Sequence, residues 1–253
     1  EKYNIKFKIS VYFYVRRGVL YIMYNGVIFK EGVCMEHSQF LRSEMLLGSE
    51  STNRLCESRV ILFGLGGVGS YTAEALPRGV GNITVVDSDC VAPTNLNRQL
   101  CALHSTLGMK KTEVIKRRIL DINPDAGDAI DKFYLPENSA EFGLGDYDYI
   151  ADAIDTVSAK LDLAVKAQEF GVPIISCMGT GNKLDPSLFK ISDISKTSTC
   201  PLCKVMRYEL RKGSQEAERG LVAEEPMKPA DTPENTGRRA TPGSLPFVPG
   251  TAG

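Results

Sequence analysis

The chain has 253 residues, 43% of them hydrophobic, enough for one or two sizeable cores, and reads as a globular α/β protein rather than a disordered one. With 30 basic and 31 acidic residues its formal net charge is -1, which excludes a global attraction to nucleic acid and leaves that role to local basic patches. Seven scattered cysteines and no signal peptide exclude a disulfide-stapled secreted framework and read as thiols in a reducing cytoplasm.

The first 34 residues hold eight of the twenty Tyr and Phe, six Lys or Arg against two Glu, and no sustained period of 2 or 3.6. Their longest uncharged run, VLYIMYNGVIF, is eleven residues with an Asn and a Gly inside, too short to span a bilayer. Residues 1–34 are therefore expected to be a non-native or disordered leader before a natural start at Met35, and residues 35–253 the working domain. FLRSEMLLG and SESTNRLCES then read as two short helices, the second opened by hydroxyl residues that can cap free amides.

The core pattern begins with a buried strand from Arg59 to Phe63, a helix from Ser70 to Leu76 stopped near Pro77, and a strand from Asn82 to Val86. A longer helix follows from Lys110 to Asp121, then a strand within DYDYIADAID, a helix from Ser158 to Phe170 and a strand from Pro173 to Cys177. This alternation predicts a Rossmann-like α/β fold, a mainly parallel sheet with helices on both faces. After MGTGNKLDP come shorter alternating segments, LFKISDI and LVAEE, expected as antiparallel additions, with a helix near Pro201 to Lys212 between them. The stretch from Glu225 to Pro249, rich in Pro, Gly and Thr, reads as a mobile loop. The chain stops at Gly253 in small-residue sequence, from which a truncated C-terminus is expected.

Between the first strand and its helix stands GLGGVG, whose Gly64, Gly66 and Gly69 satisfy GxGxxG, with Gly67 inside the loop. Missing side chains there let the backbone approach a phosphate. Asp87 closes the second strand 21 residues beyond Gly66, the distance at which a carboxylate reaches ribose hydroxyls. NAD and ATP both satisfy that geometry, and no GxxxxGK[ST] motif is present. The next segment supplies Asn95, Arg98, Gln99 and Lys111, groups that grip phosphate and suit charge developing on a triphosphate better than a nicotinamide slot. DAID adds Asp152 and Asp155 at another strand's carboxyl end, where open α/β sheets bind ligands and where one carboxylate would take Mg²⁺ through oxygen.

Together these residues resemble the ubiquitin-activating-like adenylating family that includes ThiF, MoeB and HesA proteins, over about Phe40 to Pro249. The family's N-terminal arginine looks like Arg42, six residues before Gly48. Its glycine loop looks like Gly64 to Gly69, its ribose carboxylate like Asp87, and its NxxRQ element like Asn95, Arg98 and Gln99. Its lysine falls on Lys111, three beyond Gly108, and its metal-site aspartate on Asp155. The resemblance implies adenylation of a carboxylate with ATP and Mg²⁺, in a homodimer where Arg42 completes the partner's site.

Members resembling ThiF and MoeB carry two CxxC pairs for a structural zinc, whereas this chain has only Cys200 and Cys203 in CPLC, two ligands where a closed site needs four. No cysteine follows Cys203 to take over an activated acyl group, so an internal nucleophile on the substrate is the simplest consumer of the adenylate. DAIDTVSAK, GTGNKLDPSLFKISDISKT and RRATPGSLPFVPG resemble the branch of the family that cyclises threonylcarbamoyladenosine in tRNA. That resemblance implies a tRNA partner, for which Lys110, Lys116, Arg117, Arg118, Arg238 and Arg239 are phosphate-contact candidates. It also leaves a place for a sulfur-transfer partner protein. The alternative is adenylation of the C-terminal glycine of a small sulfur-carrier protein.

Overall fold

A computed structural model describes residues 11–16, 19–24, 27–31, 39–212, 219–222 and 242–253. The chain divides into two units, Glu1–Cys56 and Glu57–Gly253. In the first, β1 (Val11–Arg16), β2 (Val19–Tyr24) and β3 (Val27–Glu31) form an antiparallel meander in which β2 is central. Two helices follow: α1 (Leu41–Leu47) and α2 (Ser49–Glu57), the latter continuing one residue into the second unit. Gly48, with φ +79°, separates them.

The second unit is built on β4 (Arg59–Phe63), α3 (Gly69–Ala75), β5 (Asn82–Val86), α4 (Lys111–Ile122), β6 (Gly127–Ile130), β7 (Tyr149–Asp152), α5 (Val157–Phe170) and β8 (Ile174–Cys177). It is completed by β9 (Lys190–Asp193), α6 (Pro201–Lys212), β10 (Arg219–Val222) and α7 (Phe247–Ala252). The sheet runs β6-β5-β4-β7-β8-β10-β9, parallel from β6 through β10, with β9 antiparallel to β10 at the edge. Strand β4 lies inside the sheet, between β5 and β7, and four of its five residues are buried, on alternate faces. Val60 and Leu62 pack with Val85, Ile115 and Ile119 on one side, while Ile61 and Phe63 pack with Ile150, Leu163 and Ala167 on the other.

Helix α3 ends at Ala75, and a 3₁₀ turn over Leu76–Arg78 seats Pro77 in the core, since proline cannot donate the amide a continuing helix needs. Two departures from the sequence reading matter for the site. Strand β6 was not expected; GDAI carries little apolar signal because it is an edge strand with no fully buried residue. The mobile loop expected from Glu225 to Pro249 ends before Pro249. Although 223–241 lie outside the described residues, 242–253 are ordered, with α7 burying Val248 completely.

Candidate active site

The parallel strands deliver their carboxyl ends to one cavity of about 470 Å³. Strand β4 leads directly into the glycine loop. Gly64 has φ +87°, and a Cβ there would lie 2.7 Å from the carbonyl oxygen of Ala153, so both conformation and neighbouring backbone demand glycine. At Gly69, the first residue of α3, a Cβ would come within 1.8 Å of the Gly64 oxygen, so the helix can start this close to the strand only without a side chain. Gly66 differs: its nearest neighbour to an added Cβ is Gln99 Nε2 at 4.0 Å, so the space above it is open to the cavity.

Asp87, at the end of β5, accepts hydrogen bonds from the Leu65 amide at 2.6 Å and the Asp89 amide at 2.8 Å. The carboxylate thus ties the glycine loop to the segment that follows β5 while lining the cavity. The NxxRQ element packs on the start of α3 through the Leu100 amide, which donates to Ser70 Oγ at 3.0 Å. Asn95 Oδ1 accepts from the Ala92 amide at 3.0 Å, and Arg98 Nη1 donates to Thr94 O at 2.8 Å and Asn97 Oδ1 at 3.0 Å. Gln99 is buried beside Cys101, whose thiol donates to its Oε1 at 3.8 Å. Lys111 opens α4 with its side chain 5% exposed, its Nζ 2.7 Å from Asp89 Oδ2, while Asp89 itself is 64% exposed.

The two carboxylates of DAID separate. Asp155 is exposed on the cavity wall. Asp152 is fully enclosed: Lys160 Nζ lies 2.7 Å from its Oδ2, Ser176 Oγ also bonds that oxygen, and the Ile154 amide reaches Oδ1 at 3.0 Å. Lys160 Nζ further donates to Ser176 Oγ at 3.0 Å and Cys177 O at 2.7 Å. All three of its N–H groups are therefore satisfied away from water, which is what a buried ammonium requires. Of the two, only Asp155 is placed to meet a ligand.

Gly64, Gly66, Gly67, Asp87, Asn95, Arg98, Gln99, Lys111 and Asp155 thus all line one cavity, and Gly69 supports it from below. Arg42 lies exposed on α1 in the first unit. Sequence reading missed the wall after β6, where Lys132, Phe133 and Tyr134 face the cavity, because the strand that positions them was missed. It also missed Lys160, although its place on the α5 face of Ala164 and Ala167, both buried, is a readable signal.

Cys200 precedes α6 and Cys203 sits in its first turn, both buried and reduced. The Cys203 thiol donates to Cys200, which lowers Cys200 to about 5 and raises Cys203. Among the described residues no group of three or more His, Cys, Asp or Glu stands together to hold a metal. Cys177 does line the cavity, but burial pushes its thiol up to about 12, so it is protonated at neutral pH.

The basic candidates are already engaged. Lys110 lies 3.1 Å from Asp131, Lys116 3.1 Å from Asp128 and Arg118 2.8 Å from Glu74, while Arg117 pairs with Glu113. Arg238 and Arg239 lie outside the described residues. No described helix is long and apolar enough to cross a membrane.

With this geometry in place, similarity to known proteins is informative. The ThiF family profile matches residues 40–228. The chain is 42% identical over 230 residues to a tRNA threonylcarbamoyladenosine dehydratase of Bacillus subtilis (strain 168), covering 85% of this chain and 90% of that protein. It is 37% identical over 168 residues to the protein of the same name from Escherichia coli (strain K12), covering 66% of this chain and 63% of that one. Its fold is similar to that of the E. coli tRNA N6-threonylcarbamoyladenosine dehydratase solved with ATP, with a TM-score of 0.77, 30% identity, and coverage of 85% of this chain and 89% of the other.

Proposed function

Because the chain belongs to the ThiF family, we propose that its cavity binds ATP and adenylates the threonylcarbamoyl carboxylate of N6-threonylcarbamoyladenosine in tRNA, which then cyclises with loss of AMP. The observation that carries this reading is the convergence of the glycine loop, Asp87, Arg98, Lys111 and Asp155 on one cavity. A carboxylate oxygen attacks the α-phosphorus and pyrophosphate leaves. The substrate side chain's own nitrogen or oxygen then bonds to the acyl carbon, loses its proton, and AMP departs with the bonding pair.

In this reading Asp87 receives the ribose, Phe133 and Tyr134 wall the base, and the open space over Gly66 admits a phosphate. Asn95 and Gln99 orient the phosphates. Arg98 and Lys111 oppose the negative charge that grows on the α-phosphate, Lys111 exchanging the exposed Asp89 for it; one such preorganised donor is worth about 10²–10³ in rate. Asp155, an exposed carboxylate on the cavity wall, fits Mg²⁺, which keeps most of its shell as water and phosphate oxygen and would supply charge neutralisation at the triphosphate. Cys177 is unsuited to accept the acyl group because its thiol stays protonated, which favours an internal nucleophile. Arg42 acts in a homodimer, on the partner's site, and tRNA phosphates compete for the exposed ion-paired bases of α4, whose existing pairs are weak.

The test supplies purified protein with ATP and tRNA bearing threonylcarbamoyladenosine, and measures AMP and the cyclised nucleoside by mass spectrometry. Both are expected in equal amounts. Pyrophosphate exchange that requires a small diglycine-tailed protein and ignores tRNA would instead establish the sulfur-carrier reading.

A further inference from the structure

The segment 242–253 returns across the cavity and touches it at three places. A Cβ on Gly181 would lie 2.8 Å from Pro242 Cβ, and one on Gly67 would lie 3.0 Å from Pro249 Cβ, so the segment rests on the loop after β8 and on the glycine loop. Asn182, with φ +58°, alone among the described non-glycine residues in the left-handed region, makes a reciprocal pair with it. Its amide donates to Gly243 O at 2.8 Å and its Oδ1 accepts from the Gly243 amide at 2.6 Å. The third contact comes from the other side of the cavity, where Asn97 Nδ2 donates to Ser244 O at 3.0 Å. Asn97 is also the residue whose Oδ1 receives Arg98 Nη1, so a chain of hydrogen bonds runs from the phosphate-facing arginine to this strap.

We propose that Asn182 and Asn97 are positioning residues that latch the 242–253 strap over the cavity, so that the acyl adenylate is spent on its internal nucleophile and not on water. The inference rests on the adenylation reading above. Pro242, Ser244 and Pro249 line the cavity together with Asp155, Cys177 and Gly179, so the strap covers part of the space in which the adenylate would form. With the strap displaced, a water oxygen bonds to the acyl carbon, the acyl carbon–oxygen bond to AMP breaks, and the carboxylate is regenerated with release of a proton. ATP is then consumed without a ring being made.

The left-handed backbone at Asn182 allows a clean comparison. Asn182→Gly keeps that conformation and the backbone donor but removes the Oδ1 acceptor, whereas Asn182→Asp retains the acceptor. Gly181→Ala attacks the same seat by steric contact with Pro242, without touching a hydrogen bond. The measured quantity is AMP released per cyclised nucleoside, in full-length protein with ATP and threonylcarbamoyladenosine-bearing tRNA. This ratio does not depend on the fraction of protein folded. Asn182→Gly is expected to raise the excess of AMP over cyclised nucleoside about fivefold, the population shift that goes with one neutral hydrogen bond, and Gly181→Ala to raise it in the same direction, with KM for ATP within about twofold of the parent. Asn97→Ala should move it the same way, and Asn182→Asp should restore it. An unchanged ratio in both Asn182→Gly and Gly181→Ala overturns the latch while leaving adenylation intact. A parent protein that releases no tRNA-dependent AMP overturns the adenylation reading, and the latch with it.

Discussion

Two lysine–aspartate pairs stand at the carboxyl ends of parallel strands, and they do opposite things. At the end of β5, Lys111 pairs with an aspartate that is 64% exposed, at the edge of the cavity. At the end of β7, Lys160 pairs with Asp152 where both side chains are wholly buried, and Ser176 and Cys177 O absorb its remaining donors. The Coulomb distance is the same, 2.7 Å. The difference is what else each ammonium can reach. The first has an exposed partner that, in the proposed reaction, a phosphate replaces; the second is closed, and joins the ends of β7 and β8, from which Asp155 and the Gly179–Gly181 loop leave the sheet.

Breaking the closed pair should give the largest effect. Lys160→Ala strands a buried carboxylate, at a cost of about 3–5 kcal/mol, and should lower Tm by roughly 6–20 °C in a thermal melt. Breaking the open pair should separate chemistry from folding. Lys111→Ala is expected to cut tRNA-dependent AMP formation by about 10²–10³ while Tm moves by only a few degrees. A melt that drops as far as that of Lys160→Ala would place Lys111 in the same structural class and end the contrast.

A smaller effect belongs to the closed region around α6. Cys200 has its folded pKa lowered below its ordinary value by the Cys203 thiol, so the native state releases that proton more readily than the unfolded chain. Its contribution is complete above the unfolded thiol value and is lost as pH falls toward the lowered folded value, so stability should rise with pH between 6 and 8. Cys203→Ala, which removes the donor, should flatten that rise in denaturant titrations at the two pH values; an equal rise in the variant would assign it to other groups. Smallest of all is Asp89→Ala. The carboxylate is mostly solvated, so the loss should stay under about 1 kcal/mol, and a larger one would mean that Lys111 depends on Asp89 as Lys160 depends on Asp152.

The same contrast explains what could be read from the sequence. Strands β4 and β5 were legible to the residue because burial leaves a run of apolar and β-branched residues, continuous from Val60 to Phe63 and broken only by Thr84 between Ile83 and Val86. That Asp87, Arg98 and Lys111 share one cavity with the glycine loop was legible because the nucleotide chemistry proposed for it demands particular residue types at particular distances from such a loop. Edge strand β6 was not, since GDAI has no fully buried side chain to leave a pattern, and with it went Phe133 and Tyr134. DAID placed two carboxylates at a strand end without saying which faced out, because the answer lies in Lys160 and Ser176, eight and 24 residues further on. The strap was read as mobile because Pro and Gly dominate it; its order comes from contacts with Gly67, Asn97 and Asn182 that no local window contains.

Asp87 carries a lesson for anyone scanning this protein by mutation. One carboxylate accepts from Leu65 and from Asp89, and so ties the glycine loop to the residue that pairs with Lys111. On the proposed reading an activity screen would score its loss as a missing ribose contact, yet the same substitution also unfastens the glycine loop from the segment after β5. Amide exchange at Leu65, followed beside nucleotide affinity, turns that single ambiguous phenotype into two separable numbers.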